Sequence, residues 1–444
     1  MCRNAGNRVT LAEPHQDRMR PHPVAFDLTR LVTRLRHASP TGIDRVDLAY
    51  ARHLLGQAGP RFGVVSTPVG PKLLDRRQMT DLVEGAVAAW TEDVTAGDDP
   101  VYRDLAARLG LPAPAAGTGA AAPEGAAQRR KRQWRARLTA WRAPGPEALP
   151  LNALYLHTSH LRLDKPARFD WLYDRPDVRP VFFVHDLIPI EYPEYGRDGE
   201  AGRHRVRMET MARHAQAIVA NSDDVGQRFS GHVAGLGLRS PPVTVGPLGI
   251  EAAFQAAPSP PAARPFFLVC GTIEPRKNLI TLLSAWRELA ARHGPATPRL
   301  VVVGRRGWES ENVIDLLERC PAVRAHVTEA SGLSTAGLVR LMGHATALLM
   351  PSFAEGYGLP VLEAAASGLP VVASDIPVHR EIAADFAEFL HPLDGLGWMR
   401  TVEDLAAPGS PLRTTMAERL AGYRSPTWAD HFARVDPVLA ALAG

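Results

Sequence analysis

The chain reads as an α/β protein made of two doubly wound parallel sheets, each Rossmann-like, facing one another across a central cleft. Three observations predict this. At 444 residues the chain is too long for one ordinary core. Short apolar strands alternate with amphipathic helices in both halves, the pattern of parallel sheets covered on both faces. A Pro-rich stretch, AAFQAAPSPPAARP, interrupts that alternation and marks a linker at 251–264. Composition agrees with a globular protein, at 45% hydrophobic and 22% charged residues.

The elements follow in order. Residues 1–22 form a loose polar arm. An N-terminal domain at 23–250 opens with the strand PVAFDLT. The loop Ser39-Pro40-Thr41-Gly42 then leads into a helix, IDRVDLAYARHLL, with Ile43, Val46, Tyr50 and Leu54 on its apolar side. RFGVVSTP is a second strand. An insertion occupies about 91–150. It holds the low-complexity run PAPAAGTGAAAPEGAA and the basic segment 128–142, QRRKRQWRARLTAWR, with seven basic residues and no acidic one. Trp134, Leu138 and Trp141 share a helical face there. Two readings stand for this segment: a helix lying Trp-down on an anionic membrane surface, or a solvated helix whose tryptophans pack on the parent domain. The strands ALYLHTS, RPVFFVHDL, AIVANS and VTVGPLGI complete this half, with helices around Arg203–Ala215 and from Ser222-Asp223-Asp224. The second domain, 265–424, starts with the strand FFLVCGT. A helix follows from Leu279 to Arg292, closed by Gly294, with Leu279, Leu282, Leu283, Trp286 and Leu289 as its buried stripe. RLVVVG, ATALLM and PVVASD are further strands, and the tail 425–444 is a helix.

Charge and cysteine bound the setting. Lys+Arg number 51 against 47 Asp+Glu, a net charge of +4, which demands no nucleic-acid partner. Cys2, Cys270 and Cys320 are odd in number and scattered, so neither a disulfide framework nor a zinc site is indicated. The N-terminus lacks the apolar core of a secretory signal, and no run reaches the roughly 18–20 apolar residues of a membrane span. A cytoplasmic protein is expected, either soluble or peripheral on the membrane face.

The chemistry concentrates in PSFAEGYGLPVLEAAASGLPVV. Glu355 and Glu363 flank a Gly-x-Gly-x-Pro bend between the strand ATALLM and an Ala-rich helix. Gly356 and Gly358 permit a sharp turn, and Pro360 suits the helix's first turn. Amide donors at a helix N-terminus beside two carboxylates suit a ligand rich in hydroxyls and carrying phosphate, that is, a sugar nucleotide. Arg276-Lys277 follow the strand FFLVCGT and precede a helix, a place where the dipole disfavours cations unless an anion sits there. Asn278 is placed to cap that helix. No D-x-D occurs, so no metal is required on this reading: Arg276 and Lys277 take over the neutralisation of a diphosphate. His185-Asp186 lie at the carboxyl end of VFFV, where His185 either contacts the donor or serves as a structural histidine bonded to backbone. Arg305-Arg306-Gly307-Trp308 occupy another strand end, with Trp308 read as turn scaffolding.

Taken together, these segments resemble the family-4 retaining glycosyltransferases of the GT-B fold, and among them bacterial mannosyltransferases of surface polysaccharide assembly. The carrying residues are Glu355 to Glu363 in E-x7-E spacing, GTIEPRKN at 271–278, GRRGW at 304–308, HDLIP at 185–189, Asn221-Ser222 and PVHREI at 377–382. The resemblance implies that Glu363 holds the ribose diol of a GDP- or UDP-linked donor. Glu355 and the amides of Gly356, Tyr357, Gly358 and Leu359 would hold donor-sugar hydroxyls. Arg276 and Lys277 would hold the diphosphate, with Gly271 opening that loop, and His185 would approach from the other domain. The family's Gly-Gly turn after the first strand is reduced here to Gly42, in Thr41-Gly42-Ile43-Asp44-Arg45. It also implies a glycan or lipid-linked acceptor, retention of configuration, and a C-terminal helix crossing back to the N-terminal domain. Rival readings are a glycosidase using Glu355 and Glu363 as acid and base, a glycogen-phosphorylase-like enzyme, and an inactive transferase-fold scaffold held to membrane by 128–142.

Overall fold

The computed structural model describes residues 22–37, 40–90, 95–112, 125–255 and 260–444. The N-terminal arm, most of the Ala/Pro/Gly-rich run and the middle of the inter-domain linker lie outside the described residues.

The N-terminal sheet has seven strands in the order β3-β2-β1-β4-β5-β6-β7. These are β1 Val24–Asp27, β2 Arg61–Thr67, β3 Gly70–Leu74, β4 Leu154–His157, β5 Arg179–Val184, β6 Ala217–Ala220 and β7 Val243–Val245. All neighbours are parallel except β2 and β3, an antiparallel hairpin. The C-terminal sheet has six parallel strands in the order β10-β9-β8-β11-β12-β13. Its members are β8 Phe266–Cys270, β9 Arg299–Val303, β10 Val327–Ala330, β11 Ala347–Met350, β12 Val371–Ser374 and β13 Glu388–Leu390.

Strands such as FFLVC and ALLM are apolar at every position because both sheet faces are covered. Along β8, Phe266, Leu268 and Cys270 enter one apolar cluster while Phe267 and Val269 enter another. The first of these clusters also takes in Phe26, Tyr50 and Leu54, so apolar packing runs from one domain into the other. The strands β3, β10 and β13 (GPKLL, VTEA and EFL) are absent from the sequence reading. Each lies at a sheet edge and carries half-exposed or polar positions, so the apolar-run signal fails there.

Two further pieces position the cleft. In the insertion, Asp99 caps the helix Pro100–Leu109 through Val101 N and Tyr102 N, and its other oxygen accepts from Ser334 N at 2.7 Å in the opposite domain. The C-terminal helix Trp428–Ala443 lies on the N-terminal domain: His431 Nε2 meets Tyr50 Oη at 2.8 Å, and Phe432 stacks on His53.

The basic segment is a helix, Ala126–Arg142, but its tryptophans are largely exposed rather than buried on the parent domain, edging a groove with Val32, Val65 and Pro68. Trp134 is 63% and Trp141 61% exposed. The docked line is Gln133 and Ala140, with Gln133 Nε2 donating to Val32 O and Thr33 O at 3.0 and 2.8 Å. One residue is about 100° of helix rotation, enough to swing the whole Trp face outward.

Candidate active site

The segment after β11 turns into the helix Leu359–Ala366, with Pro360 in its first turn. Gly358 sits at φ +99°, where a side chain would be strained. At Gly356 a Cβ would come within 2.7 Å of His185 O, so glycine lets the two domains close on each other here.

Glu355 is 6% exposed and heavily bonded. Its Oε1 accepts from Lys277 Nζ and from Ser352 Oγ, both at 2.6 Å, and its Oε2 accepts from Arg276 Nη1 at 2.8 Å. Arg276 also pairs with Glu274 at 2.6 Å and donates to Ala354 O. Burial works to raise the Glu355 carboxyl, yet Arg276 and then Lys277 hold it well below the usual carboxylate range. Against burial, Glu355 and Glu274 push the Arg276 guanidinium up. Burial, with Arg276 beside it, pulls Lys277 down in spite of Glu355. Two carboxylates and two cations thus form a buried, charge-balanced block.

Glu363, also 6% exposed, belongs to a separate network. It accepts from Arg45 Nη1, a residue of the N-terminal-domain helix Gly42–Gly56, whose Nε lies 3.2 Å from Glu251. Burial raises the Glu363 carboxyl and Arg45 opposes it.

A cleft of about 600 Å³ runs between the domains, with Gly42, His185, Arg276, Glu355 and Gly356 through Leu359 on its walls. Lys277 stands behind Glu355, and Glu363 lies beneath Arg45. At Gly271, φ +139°, a Cβ would meet Lys277 Cε at 3.1 Å, so this glycine packs on the lysine stem. The Tyr357 side chain is buried and its hydroxyl accepts from Leu248 N at 3.0 Å, at the domain junction.

His185 lines the cleft and is also backbone-bonded, which combines the two readings of its sequence position. Its Nε2 lies 2.6 Å from Thr158 O, so that nitrogen carries the proton. Burial depresses it to about 4, leaving a neutral ring. Asn278 precedes the helix Leu279–His293 without capping it. Held at φ +52°, it donates instead to Pro351 O and Pro392 O, tying together the loops after β11 and β13. Trp308 is not turn scaffolding: its indole N–H crosses to Tyr195 O at 2.9 Å, and Arg197 lies 5.0 Å over its ring.

Sequence reasoning missed Arg45, Glu274, Ser352 and Glu381. Glu381 accepts from Asp223 N and Asp224 N at 2.7 and 3.0 Å, capping a helix of the other domain. Glu274 and Glu381 stand inside the motifs GTIEPRKN and PVHREI, but a carboxylate whose partner lies in another loop or domain leaves no local spacing to read. Ser352 bonds to Glu355 only three residues away, a spacing visible in the chain though its short side chain drew no attention.

The buried pairing of Glu355 with the GTIEPRKN cations falls inside residues 252–392, which match the family described as Glycosyl transferases group 1. This is a group 1 glycosyl transferase domain. The chain is 29% identical over 242 residues to the serotype-specific mannosyltransferase WbdA of Escherichia coli, covering 51% of this chain and 29% of that one. With O-antigen chain mannosyltransferase B of Escherichia coli it shares 35% identity over 129 residues, 29% of this chain and 33% of the relative. The chain therefore spans about a third of the length of the curated relatives it matches. Among solved structures, HepE of Anabaena in complex with UDP and glucose superposes with a TM-score of 0.61 at 15% identity, covering 95% of this chain and 100% of HepE. The group 1 domain thus sits in a two-sheet GT-B architecture.

Proposed function

We propose that this chain is a retaining hexosyltransferase that moves mannose from a nucleotide sugar to a glycan or lipid-linked glycan. The observation that carries this reading is the ionised Glu355, gripped by Arg276 and Lys277 beside an open helix N-terminus in an inter-domain cleft. The diphosphate would exchange places with Glu355 on the two cations, freeing that carboxylate for sugar hydroxyls. Glu363 would exchange Arg45 for the ribose diol. With no carboxylate placed as nucleophile, the departing phosphate would take the acceptor's proton as Arg276 and Lys277 neutralise its charge. These cations would do the electrostatic work without a metal, so EDTA would leave the rate unchanged.

The glycosidase alternative is disfavoured by the pairing of its two carboxylates: Glu355 is gripped by Arg276 and Lys277, and Glu363 by Arg45, so neither stands free as an acid/base partner. Mannose is favoured by the similarity to WbdA and O-antigen chain mannosyltransferase B, and UDP-hexoses are the second choice because the HepE structure holds UDP.

We also place the protein at the cytoplasmic face of a membrane, touching it through 128–142. The support is the outward pair Trp134 and Trp141 on a helix with seven basic residues and no acidic one. Among the described residues no helix is long and apolar enough to cross a membrane.

The test is a binding and hydrolysis panel of GDP-, UDP-, ADP- and dTDP-sugars. GDP-mannose should bind and release GDP, and NMR of the product should show the donor's anomeric configuration. Lys277→Ala should lower kcat by about a hundredfold or more, the scale of losing one charge-stabilising donor. No nucleotide release from any donor, or near-normal transfer by Lys277→Ala, would refute the assignment.

A further inference from the structure

Between the helix Ala126–Arg142, the helix Thr29–Arg34 and the hairpin of β2 and β3 runs a groove of about 540 Å³, within the size range of small-molecule sites. Val32 and Val65, both buried, line it together with Pro68, Trp134, Leu138 and Trp141, which are partly or largely exposed. Val69, at the hairpin turn beside Pro68, is exposed as well. Apolar side chains gathered on an open surface and rimmed by polar ones mark a binding site.

The charge around this groove is of one sign. Arg137 and Arg162 line it, and no acidic residue does among the described residues. The segment 128–142 on its wall carries seven basic residues and no acidic one. Arg162 is strained. Its backbone sits at φ +71°, a region that residues other than glycine seldom adopt, and its Nε is buried with no hydrogen-bond partner. A strained arginine with an orphaned donor beside apolar walls fits an amphiphile. Hydrocarbon would lie along the valines and tryptophans, and an anionic group would meet the guanidinium.

The groove also adjoins the cleft. Thr29, Val32 and Thr33 fall at i, i+3 and i+4 on one face of the helix Thr29–Arg34 and line the groove. Arg30, one residue round the same helix, lines the cleft. Ser66 and Thr67 end β2 and Arg162 comes after β4, so the groove lies toward the carboxyl ends of the strands, as does His185 after β5 on the cleft wall. One helix, about 10 Å across, thus separates an apolar groove from the cleft. A bilayer lipid has no need of that adjacency. An acceptor whose headgroup must reach the cleft does.

We propose that this groove holds the hydrocarbon chain of a lipid-phosphate-linked acceptor, with Arg162 at the phosphate. The proposal goes further than surface attachment through the tryptophans, and its acceptor role rests on the transferase reading above.

The test is made on the full chain without vesicles. Farnesyl phosphate, kept below its micelle concentration, is titrated by calorimetry. It should bind at least about tenfold more tightly than inorganic phosphate, the scale of burying a few methylene groups. Arg162→Gly removes the guanidinium where glycine suits the backbone, so its melting temperature should not fall. Leu138→Glu puts a carboxylate into the groove. Each should weaken farnesyl phosphate about tenfold while GDP affinity stays within about twofold. Farnesyl-diphosphate-linked N-acetylglucosamine should bind about tenfold more tightly than myristoyl lysophosphatidylglycerol, because its sugar reaches the cleft. Equal affinities for those two would assign the groove to a bilayer lipid and overturn the acceptor role. No binding of farnesyl phosphate, or binding unchanged in both variants, overturns the groove itself. Absence of nucleotide binding and of release from every donor overturns the transferase reading instead, and the farnesyl phosphate titration still decides whether the groove takes a chain.

Discussion

His185 shows how one residue serves both frame and site. With its proton fixed on Nε2 by Thr158 O, its other nitrogen can accept a hydrogen bond but cannot donate one. His431 is likewise buried and depressed to about 4, with Nδ1 on the backbone oxygens of Gly246 and Pro247. Both folded values lie below the ordinary 6.5, so the unfolded chain binds more protons between about 4 and 6.5. Their contribution to stability is complete above the ordinary value and is lost as pH falls toward the folded one. For His185 the difference amounts to ~3 kcal/mol. The urea midpoint should therefore fall steadily from pH 7 to pH 5, and a flat midpoint over that interval would contradict the neutral histidines. At this scale Glu355, Arg276 and Lys277 were legible because motif spacing names them. Arg45 was not, because its partner Glu363 lies 318 residues along the chain.

For the elements, the helix Ala126–Arg142 is the instructive case. Its helical period was plain in the sequence, yet which face docked depended on Gln133 finding two carbonyls at the end of the helix Thr29–Arg34. A glutamine among arginines reads as solvated until its acceptors are known. The exposed Trp134 and Trp141 make a direct prediction. The protein should co-sediment with vesicles containing phosphatidylglycerol and far less with phosphatidylcholine alone, and high salt should weaken the attachment. The double substitution Trp134→Ala and Trp141→Ala should lower vesicle affinity at least about tenfold with little change in melting temperature, since both rings are mostly exposed. Equal binding to both vesicle types would count against the membrane reading. The edge strands β3, β10 and β13 teach a related point: half-covered strands need few apolar residues, so their existence follows from the sheet beside them rather than from their own letters.

The whole molecule is held closed by contacts that no single domain contains: Asp99 with Ser334, Tyr357 with Leu248, Trp308 with Tyr195, and Glu381 with the helix Asp223–Gly235. The two-domain plan was legible from the alternation of elements and the Pro-rich linker; these fasteners were not, being pairings between distant segments. Glu381→Ala removes a carboxylate cap and should cost about 1 kcal/mol. By loosening closure it should also raise the ratio of free hexose to transferred hexose several-fold, as water enters the cleft. An unchanged ratio would show that this fastener does not govern closure.

The Arg45–Glu363 contact has one more implication. On the proposed reading of Glu363, the resting protein carries a surrogate occupant where the ribose would bind, and any ligand for Glu363 would compete with it. When the guanidinium leaves, Glu251 is already 3.2 Å from its Nε, so eviction does not strand a bare charge. Apparent affinity for such a ligand is then its intrinsic affinity scaled by the fraction of molecules in which Arg45 has swung aside. On that reading the same side chain would return to the vacated carboxylate as product departs, and so help to clear the site.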